Sequence, residues 1–442
     1  MPRPPSSRRL MTEETAVGGA AKALPGSLDH RGDSRLRVLR PRRAAPDSAV
    51  RPTRAEVDLS ALRANLRVVK RAAGAARVWA VLKADGYGHG GPAVARTLER
   101  AGVDGLAVAL LEEAIELRDA GLRAPILVMG GYYGQAYDEL LAHDLVPVVY
   151  DPSHFEGLSR ALRARGGDEK APVHLKIDTG MSRLGVRLDD LGAILEHAKA
   201  FPQIRIDGLM THLASADALG KDGDASIAEQ MARFDRGVAL VRKHGHRPRF
   251  VHAANSAGLL RAPRIDARYG AVRPGIALFG VDPLAPADRT TPRAPDGTPL
   301  SAPVLRATLR VRTEIVALRT IPAGEGVGYG STWRATRPSV IATVPLGYAD
   351  GLPRALSNVG SMLVRGKRVP IVGAVSMDLS TIDVTDVAGA RLRDEVVALG
   401  DQRGALGEDA ISVEEIARTA SLIPWDVMTS ISRRVPRFYR EP

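Results

Sequence analysis

The 442-residue chain contains no cysteine. Disulfides, thiolate metal sites and a cysteine nucleophile are therefore excluded, although the compartment is not fixed by that absence. Aromatic residues are scarce, at 4 %. No apolar run approaches the roughly 20 residues that a membrane-spanning helix requires, so no membrane partner is expected. The early arginines are not followed by the apolar stretch of a secretory signal, and a cytoplasmic location is the simpler expectation. What is present, 45 % hydrophobic and 25 % charged residues, is a globular composition. The length favours two domains.

The net charge of +12 is unevenly spread. Residues 1–54 hold 12 Lys and Arg against five Asp and Glu, which is more than half of the excess. This segment is rich in Pro, Ser, Gly and Arg and lacks periodicity, so it reads as a disordered basic extension. It is either a genuine tail or the product of an upstream start, with Met11 as initiator. Nucleic acid is not expected as a partner, because the basicity is mostly confined to that tail.

From residue 79 to about 280, short apolar runs alternate with helical patterns. Strands are predicted at Trp79–Ala84, Gly105–Leu110, Ile126–Gly130, Leu145–Tyr150, Val173–Asp178, Ile206–Thr211, Arg249–Ala253 and Ala271–Ile276. Helices are predicted between them, including Pro92–Glu99, Glu112–Ala120, Leu188–Lys199 and Ala225–Lys243. The pattern predicts an α/β fold, a (β/α)8 TIM barrel over residues 55–295, whose chemistry lies at the C-terminal strand ends. A Pro-rich linker at 282–303 leads to a mostly-β C-terminal domain, 296–442, with strands such as Ser361–Val364 and a helix at Val413–Ala420.

The special residues cluster at the predicted strand ends. Lys83 follows Val78-Trp79-Ala80-Val81-Leu82 and opens into Ala84-Asp85-Gly86-Tyr87-Gly88-His89-Gly90. An amine at a strand mouth suits Schiff-base chemistry, most often with pyridoxal phosphate. The three glycines point to a loop that bends around something. Such a cofactor also needs a phosphate cradle, and two late strand ends offer one. His252-Ala-Ala-Asn255-Ser256 places a hydroxyl at a helix start, and Arg273-Pro-Gly275-Ile276 offers backbone amides. Arg273 cannot accept the proton that a carboxylate partner would share with a pyridine nitrogen, which favours racemisation over transamination. A second motif is Lys176-Ile-Asp178-Thr-Gly-Met-Ser-Arg183.

From about Glu56 to the C-terminus these motifs resemble the pyridoxal 5'-phosphate-dependent, fold type III alanine racemases. The resemblance implies that Tyr87, Ser256, Gly275 and Ile276 bind the phosphate, with Asn255 beside them, and that Arg273 meets the pyridine nitrogen. It implies that His212 bonds that arginine, and that Arg183 serves the phenolic oxygen and the substrate carboxylate. Lys176 matches a position often carbamylated in the family. Racemisation needs a base on each face of a planar intermediate; Lys83 would be one, and Tyr329, in Gly324-Glu-Gly-Val-Gly-Tyr329, matches the other. In the family that tyrosine reaches the partner subunit, so a homodimer is implied, with Tyr348, Met377 and Asp378 contacting substrate. Arg433 stands where the family often has a phosphate-contacting tyrosine. Ala374 replaces a frequent arginine at the outer entrance, whereas Arg354 keeps its counterpart.

The leading expectation is an isomerase that interconverts L- and D-alanine for peptidoglycan. The alternative is a racemase of broader specificity, for example on serine. A related decarboxylase would need a cysteine in the second domain, and a single-barrel carrier of the cofactor would lack that domain altogether.

Overall fold

The structure, a computed structural model, describes residues 50–133, 136–166, 170–261, 269–284 and 305–441. The expected extension up to residue 49 and most of the 282–303 linker lie outside the described residues. The strands are β1 (Arg54–Asp58), β2 (Arg77–Val81), β3 (Gly105–Leu110), β4 (Ile126–Gly131), β5 (Val146–Val149), β6 (Ala171–Asp178), β7 (Val186–Arg187), β8 (Ile204–Met210), β9 (Phe250–His252), β10 (Ala271–Val272) and β11 (Leu309–Glu314). They continue with β12 (Ala317–Ile321), β13 (Gly326–Val327), β14 (Trp333–Arg334), β15 (Ser339–Val344), β16 (Ser361–Val364), β17 (Lys367–Pro370), β18 (Ser380–Asp383), β19 (Glu395–Gly404), β20 (Gly407–Ile411) and β21 (Arg437–Arg440).

Eight parallel strands form a nearly closed barrel in the order β10-β2-β3-β4-β5-β6-β8-β9. The seam between β9 and β10 lacks a ladder, but Arg273 N donates to Ala254 O at 2.9 Å just beyond the strand ends. Runs such as Leu106–Val108 and Ile126–Val128 are fully buried, as strands covered on both faces must be. The crossover helices follow from three- and four-residue apolar spacing. In Leu59–Ala73, Leu59, Leu62, Leu66 and Val69 are buried, and Asp58 caps the first turn by accepting from Ala61 N at 2.9 Å.

The C-terminal domain is mostly β. Its main sheet runs β17-β16-β19-β11-β1-β21. In β11 the residues Leu309, Val311 and Thr313 are buried while Arg310 and Arg312, on the other face, are half-buried. Residues 55–58, expected inside the barrel segment, instead form β1 together with Arg54, antiparallel to β11 and parallel to β21. The buried Glu56 explains this placement: it pairs with Arg312 and, at 2.9 Å, with Arg440, so a carboxylate that could not be buried alone is neutralised there. β13 and β14 form a small hairpin seated on Ile321, Ile341 and Val372 through Val327 and Trp333. Tyr329 lies at its tip. The predicted strand Ala271–Ile276 is shorter than expected: after Val272 the chain turns, and Ile276–Phe279 is a short 3-10 helix.

Candidate active site

At the C-terminal mouth of the barrel, Lys83 follows β2 and opens a five-residue turn, Lys83–Tyr87. Ala84, Asp85, Gly86 and Tyr87 all have positive φ, from 52° to 61°. A left-handed turn of L-residues costs about 1–2 kcal/mol per non-glycine residue, so other contacts must hold it. Gly86 N donates to Leu82 O, Gly88 N to Ala84 O and Gly90 N to Asp85 O, each at 2.9 Å. Glu113 accepts from Ala84 N at 2.6 Å and from Ala109 N at 2.9 Å. Two of the glycines make room for the second domain. A Cβ on Gly88 would strike Met428 O, and one on Gly90 would strike the Tyr439 hydroxyl. The loop therefore bends around the second domain as well as around the mouth.

Lys83 is open to the mouth, yet the protein packed round its ammonium and the nearby Arg183 charge hold its pKa below the ordinary value, with Glu113 opposing. Burial and the same arginine, with Arg273, push Lys176 down to about 8. His212 is pushed to about 3 by burial and then by Arg273, Lys176, Arg183 and Lys83. Arg273, Lys176, Arg183 and Lys83 are thus near enough for their charges to act on His212. Asp178 shapes the loop to Arg183 by accepting from Gly180 N, Met181 N and Ser182 N at 3.0–3.1 Å.

A cradle lies across the mouth. Ser256 Oγ accepts from Gly275 N at 2.9 Å and Ala277 N at 3.3 Å, joining the ends of β9 and β10. Asn255 caps the following helical turn, accepting from Gly258 N at 2.9 Å. A Cβ on Gly275 would collide with the Tyr87 hydroxyl, so glycine lets that phenol lie against the backbone beside Ser256. Burial raises the Tyr87 pKa, with Glu113 adding to it, which leaves the phenol a donor. Ile276, next in the chain, is buried. A hydroxyl, a phenol and backbone amides gathered at the ends of neighbouring strands suit a phosphate. A deprotonation-prone lysine and a buried guanidinium fit the ring of pyridoxal phosphate.

Arg273 is buried at the centre. It donates to Thr211 O and to His252 Nδ1, each at 2.6 Å, and His252 in turn meets His174 at 2.8 Å. The roles of His252, His174 and Glu113 were missed in the sequence. His252 lay inside a recognised motif, but nothing local marks it as a partner of a residue 21 positions away. Gly208 was a silent clue: a Cβ there would overlap the His174 ring.

The second-domain candidates are exposed. Tyr329 is 77 % accessible, Met377 53 % and Tyr348 42 %. Gly347 is what lets Tyr348 and Met377 approach, because a Cβ there would collide with Met377 O; Tyr348 N donates to Ser376 O and Ala349 N to Met377 O, both at 3.0 Å. Asp378 pairs with Arg434 at 2.8 Å. Arg433 points toward Asp85 and Glu116, at 3.7 and 3.6 Å. No helix among the described residues is long and apolar enough to cross a membrane, and no cluster of three metal-ligating side chains occurs among them.

Comparison with known proteins matches this two-part architecture. The family model "Alanine racemase, N-terminal domain" matches residues 57–283, and "Alanine racemase, C-terminal domain" matches 308–439. An alanine racemase from Sorangium cellulosum is 56 % identical over 401 residues, covering 89 % of this chain and all of that protein. The crystal structure of alanine racemase from Bacillus anthracis with bound L-Ala-P has a TM-score of 0.79 at 32 % identity, covering 89 % of this chain and 96 % of that one. The Bartonella henselae alanine racemase with covalently bound pyridoxal phosphate has a TM-score of 0.74 at 30 % identity, covering 88 % and 99 %. Barrel, β-domain and lysine mouth thus agree with sequence likeness over both domains: the chain belongs to the alanine racemase family.

Proposed function

We propose that this protein racemises alanine with pyridoxal phosphate held at the barrel mouth, Lys83 acting on one face of the substrate and Tyr329 of a second copy on the other. The observation that carries the reading is that Tyr87, from the turn opened by Lys83, lies against Gly275 and so beside Ser256, with Arg183 and Arg273 near enough for their charges to act on the neighbouring lysines. The cofactor, when bound, withdraws electrons from the substrate Cα–H bond and makes it acidic. The residues of the chain do the rest. Lys83, with its depressed pKa, accepts and returns a proton at the substrate Cα. Arg183 suits the substrate carboxylate because a planar guanidinium donates two parallel hydrogen bonds. Ser256, Tyr87, Gly275 and Ile276 would hold the phosphate. Arg273, pinned by His252 and Thr211, presents a cation that yields no proton.

Tyr329 at an exposed hairpin tip supports a site completed by another subunit, since a base for the opposite face must come from outside the Lys83 side of the mouth. We accordingly read the protein as a homodimer in the cytoplasm, supplying D-alanine for peptidoglycan. Broader specificity is not favoured: the compared relatives carry the name alanine racemase.

The test is proton exchange at Cα in deuterated water with each alanine enantiomer, combined with borohydride reduction. Exchange from both enantiomers and a reduced adduct on Lys83, both lost in Lys83→Ala, are expected. Carbon dioxide release, or no exchange, would sink the proposal.

A further inference from the structure

Two loops of the second domain carry Tyr348 and Met377–Asp378, and their outer residues are exposed. Something beneath them has to set their positions. The backbone joins them at Tyr348 N to Ser376 O and Ala349 N to Met377 O, both 3.0 Å. Below that junction Asp350 is fully buried, at 0 % accessibility. Its carboxylate accepts from Gly347 N at 3.0 Å, from Arg434 Nε at 2.7 Å and from Arg51 Nη2 at 2.5 Å.

Arg434 is the element common to both loops. While its Nε holds Asp350 in the Tyr348 loop, its Nη2 donates to Asp378 at 2.8 Å, next to Met377. The segment that carries it is fixed independently. Ser432 N donates to Asp350 O at 3.0 Å, and Arg437 donates to Gly88 O through Nε at 3.0 Å and Nη2 at 2.8 Å. Gly88 belongs to the turn that begins at Lys83. One stretch of chain thus ties the lysine turn on one side and the two exposed loops on the other. A guanidinium spans two carboxylates because its donors form a rigid fork, which an ammonium does not provide. Arg51 supplies the second positive charge that lets Asp350 remain ionised without solvent.

We infer that Arg434 is a positioning residue for alanine binding: it fixes the Tyr348 and Met377–Asp378 loops as one unit by bridging Asp350 and Asp378. The inference rests on the reading of those loops as substrate-facing. Arg434 does not touch the reacting atoms, so its loss acts on binding more than on proton transfer.

The experiment measures KM and kcat for L-alanine on the full chain loaded with pyridoxal phosphate, together with its melting temperature. The variants are Arg434→Lys, Arg434→Met, Asp378→Asn and the double variant Arg434→Lys/Asp378→Asn. Arg434→Lys keeps a charge on Asp350 and should melt close to the parent, yet raise KM roughly tenfold with a smaller change in kcat, since misplacement by about 1 Å can cost up to ~100-fold. Arg434→Met should raise KM at least as much and also melt lower. Asp378→Asn should raise KM like Arg434→Lys, and the double variant should add nothing further, because the two residues act through one contact. An unchanged KM in Arg434→Lys, or effects that multiply in the double variant, would overturn the inference. Were Asp378→Asn and Tyr348→Phe each to leave KM unchanged, the substrate-facing reading of the loops would fail instead.

Discussion

Nη1 of Arg273 lies 2.6 Å from Nδ1 of His252, and Nε2 of that imidazole lies 2.8 Å from Nδ1 of His174. A guanidinium only donates, so His252 Nδ1 bears the lone pair and Nε2 carries the hydrogen. His174 Nδ1 must then accept, which makes its Nε2 the protonated nitrogen. Both rings are neutral: burial holds His252 well below the ordinary imidazole range and His174 at about 3. The chain pins the arginine with no proton to pass on. His252→Leu is expected to reduce kcat by about tenfold or more and to weaken the fold by about 1–3 kcal/mol, the cost of a buried donor left without its acceptor. His174→Asn, which retains an oxygen near the Nδ1 position, should do much less. Initial rates and urea unfolding check this; a His252→Leu enzyme with parental rates would contradict it.

The buried imidazoles also predict acid sensitivity. His89 is held at about 4 by burial, donating to Tyr87 O at 2.8 Å through Nδ1. A folded pKa below the unfolded value of about 6.5 means that the unfolded chain binds more protons. Stability is therefore full above pH 6.5 and lost as the pH falls toward 4. Each such ring should account for about 2 kcal/mol between pH 7 and pH 5. Urea midpoints at the two pH values, for the parent and His89→Gln, should show a smaller drop in the variant.

Lys176 follows the same rule at higher pH. Its ammonium is buried beside Arg183 and Arg273 and is pushed to about 8. The burial penalty is present below pH 8 and is relieved as pH rises toward the ordinary lysine value. A neutral amine can take up carbon dioxide and release a proton, giving an anion between the two arginines. Added bicarbonate at pH 8 is expected to raise the melting temperature of the parent but not of Lys176→Gln. An equal response in both would dismiss carbamylation.

Gly275 offers a test of the cradle. Gly275→Ala places a methyl against the Tyr87 hydroxyl, and overpacking of this kind costs about 1–3 kcal/mol. Apoenzyme titrated with pyridoxal phosphate, followed by fluorescence, should bind roughly tenfold to a hundredfold more weakly. Unaltered affinity would place the phosphate elsewhere.

Tyr329→Phe separates the two faces. Exchange of the alanine Cα hydrogen with deuterated water should persist for one enantiomer through Lys83 and vanish for the other, while net racemisation stops. Equal residual exchange from both enantiomers would remove Tyr329 from the proposed role.

Much of this was legible in the chain because it is local. Lys83 after an apolar run, Ser256 after His252-Ala-Ala-Asn255 and Asp178 leading into Arg183 are patterns within ten residues, and strand ends in a barrel bring such patterns to one mouth. The barrel strands themselves read as continuous apolar runs, since both faces are buried. Three features escaped for the same reason. β1 leaves the barrel segment for the second-domain sheet because Arg312 and Arg440, hundreds of residues away, neutralise Glu56. What the loop of Gly88 and Gly90 bends around was not legible: Met428 and Tyr439 occupy the space a Cβ would need. His174 and His252 are 78 residues apart and share no periodicity.

By itself, the sequence determined which residues are chemically competent and the order of elements that carries them, because residue type and short-range spacing are properties of the chain. Tertiary structure alone decided which nitrogen of His252 faces Arg273, which carboxylates Arg434 spans, and why the lysine turn tolerates its left-handed backbone. Those outcomes depend on distances between segments remote in the chain, which only the packing within the barrel, within the β-domain and between the two sets.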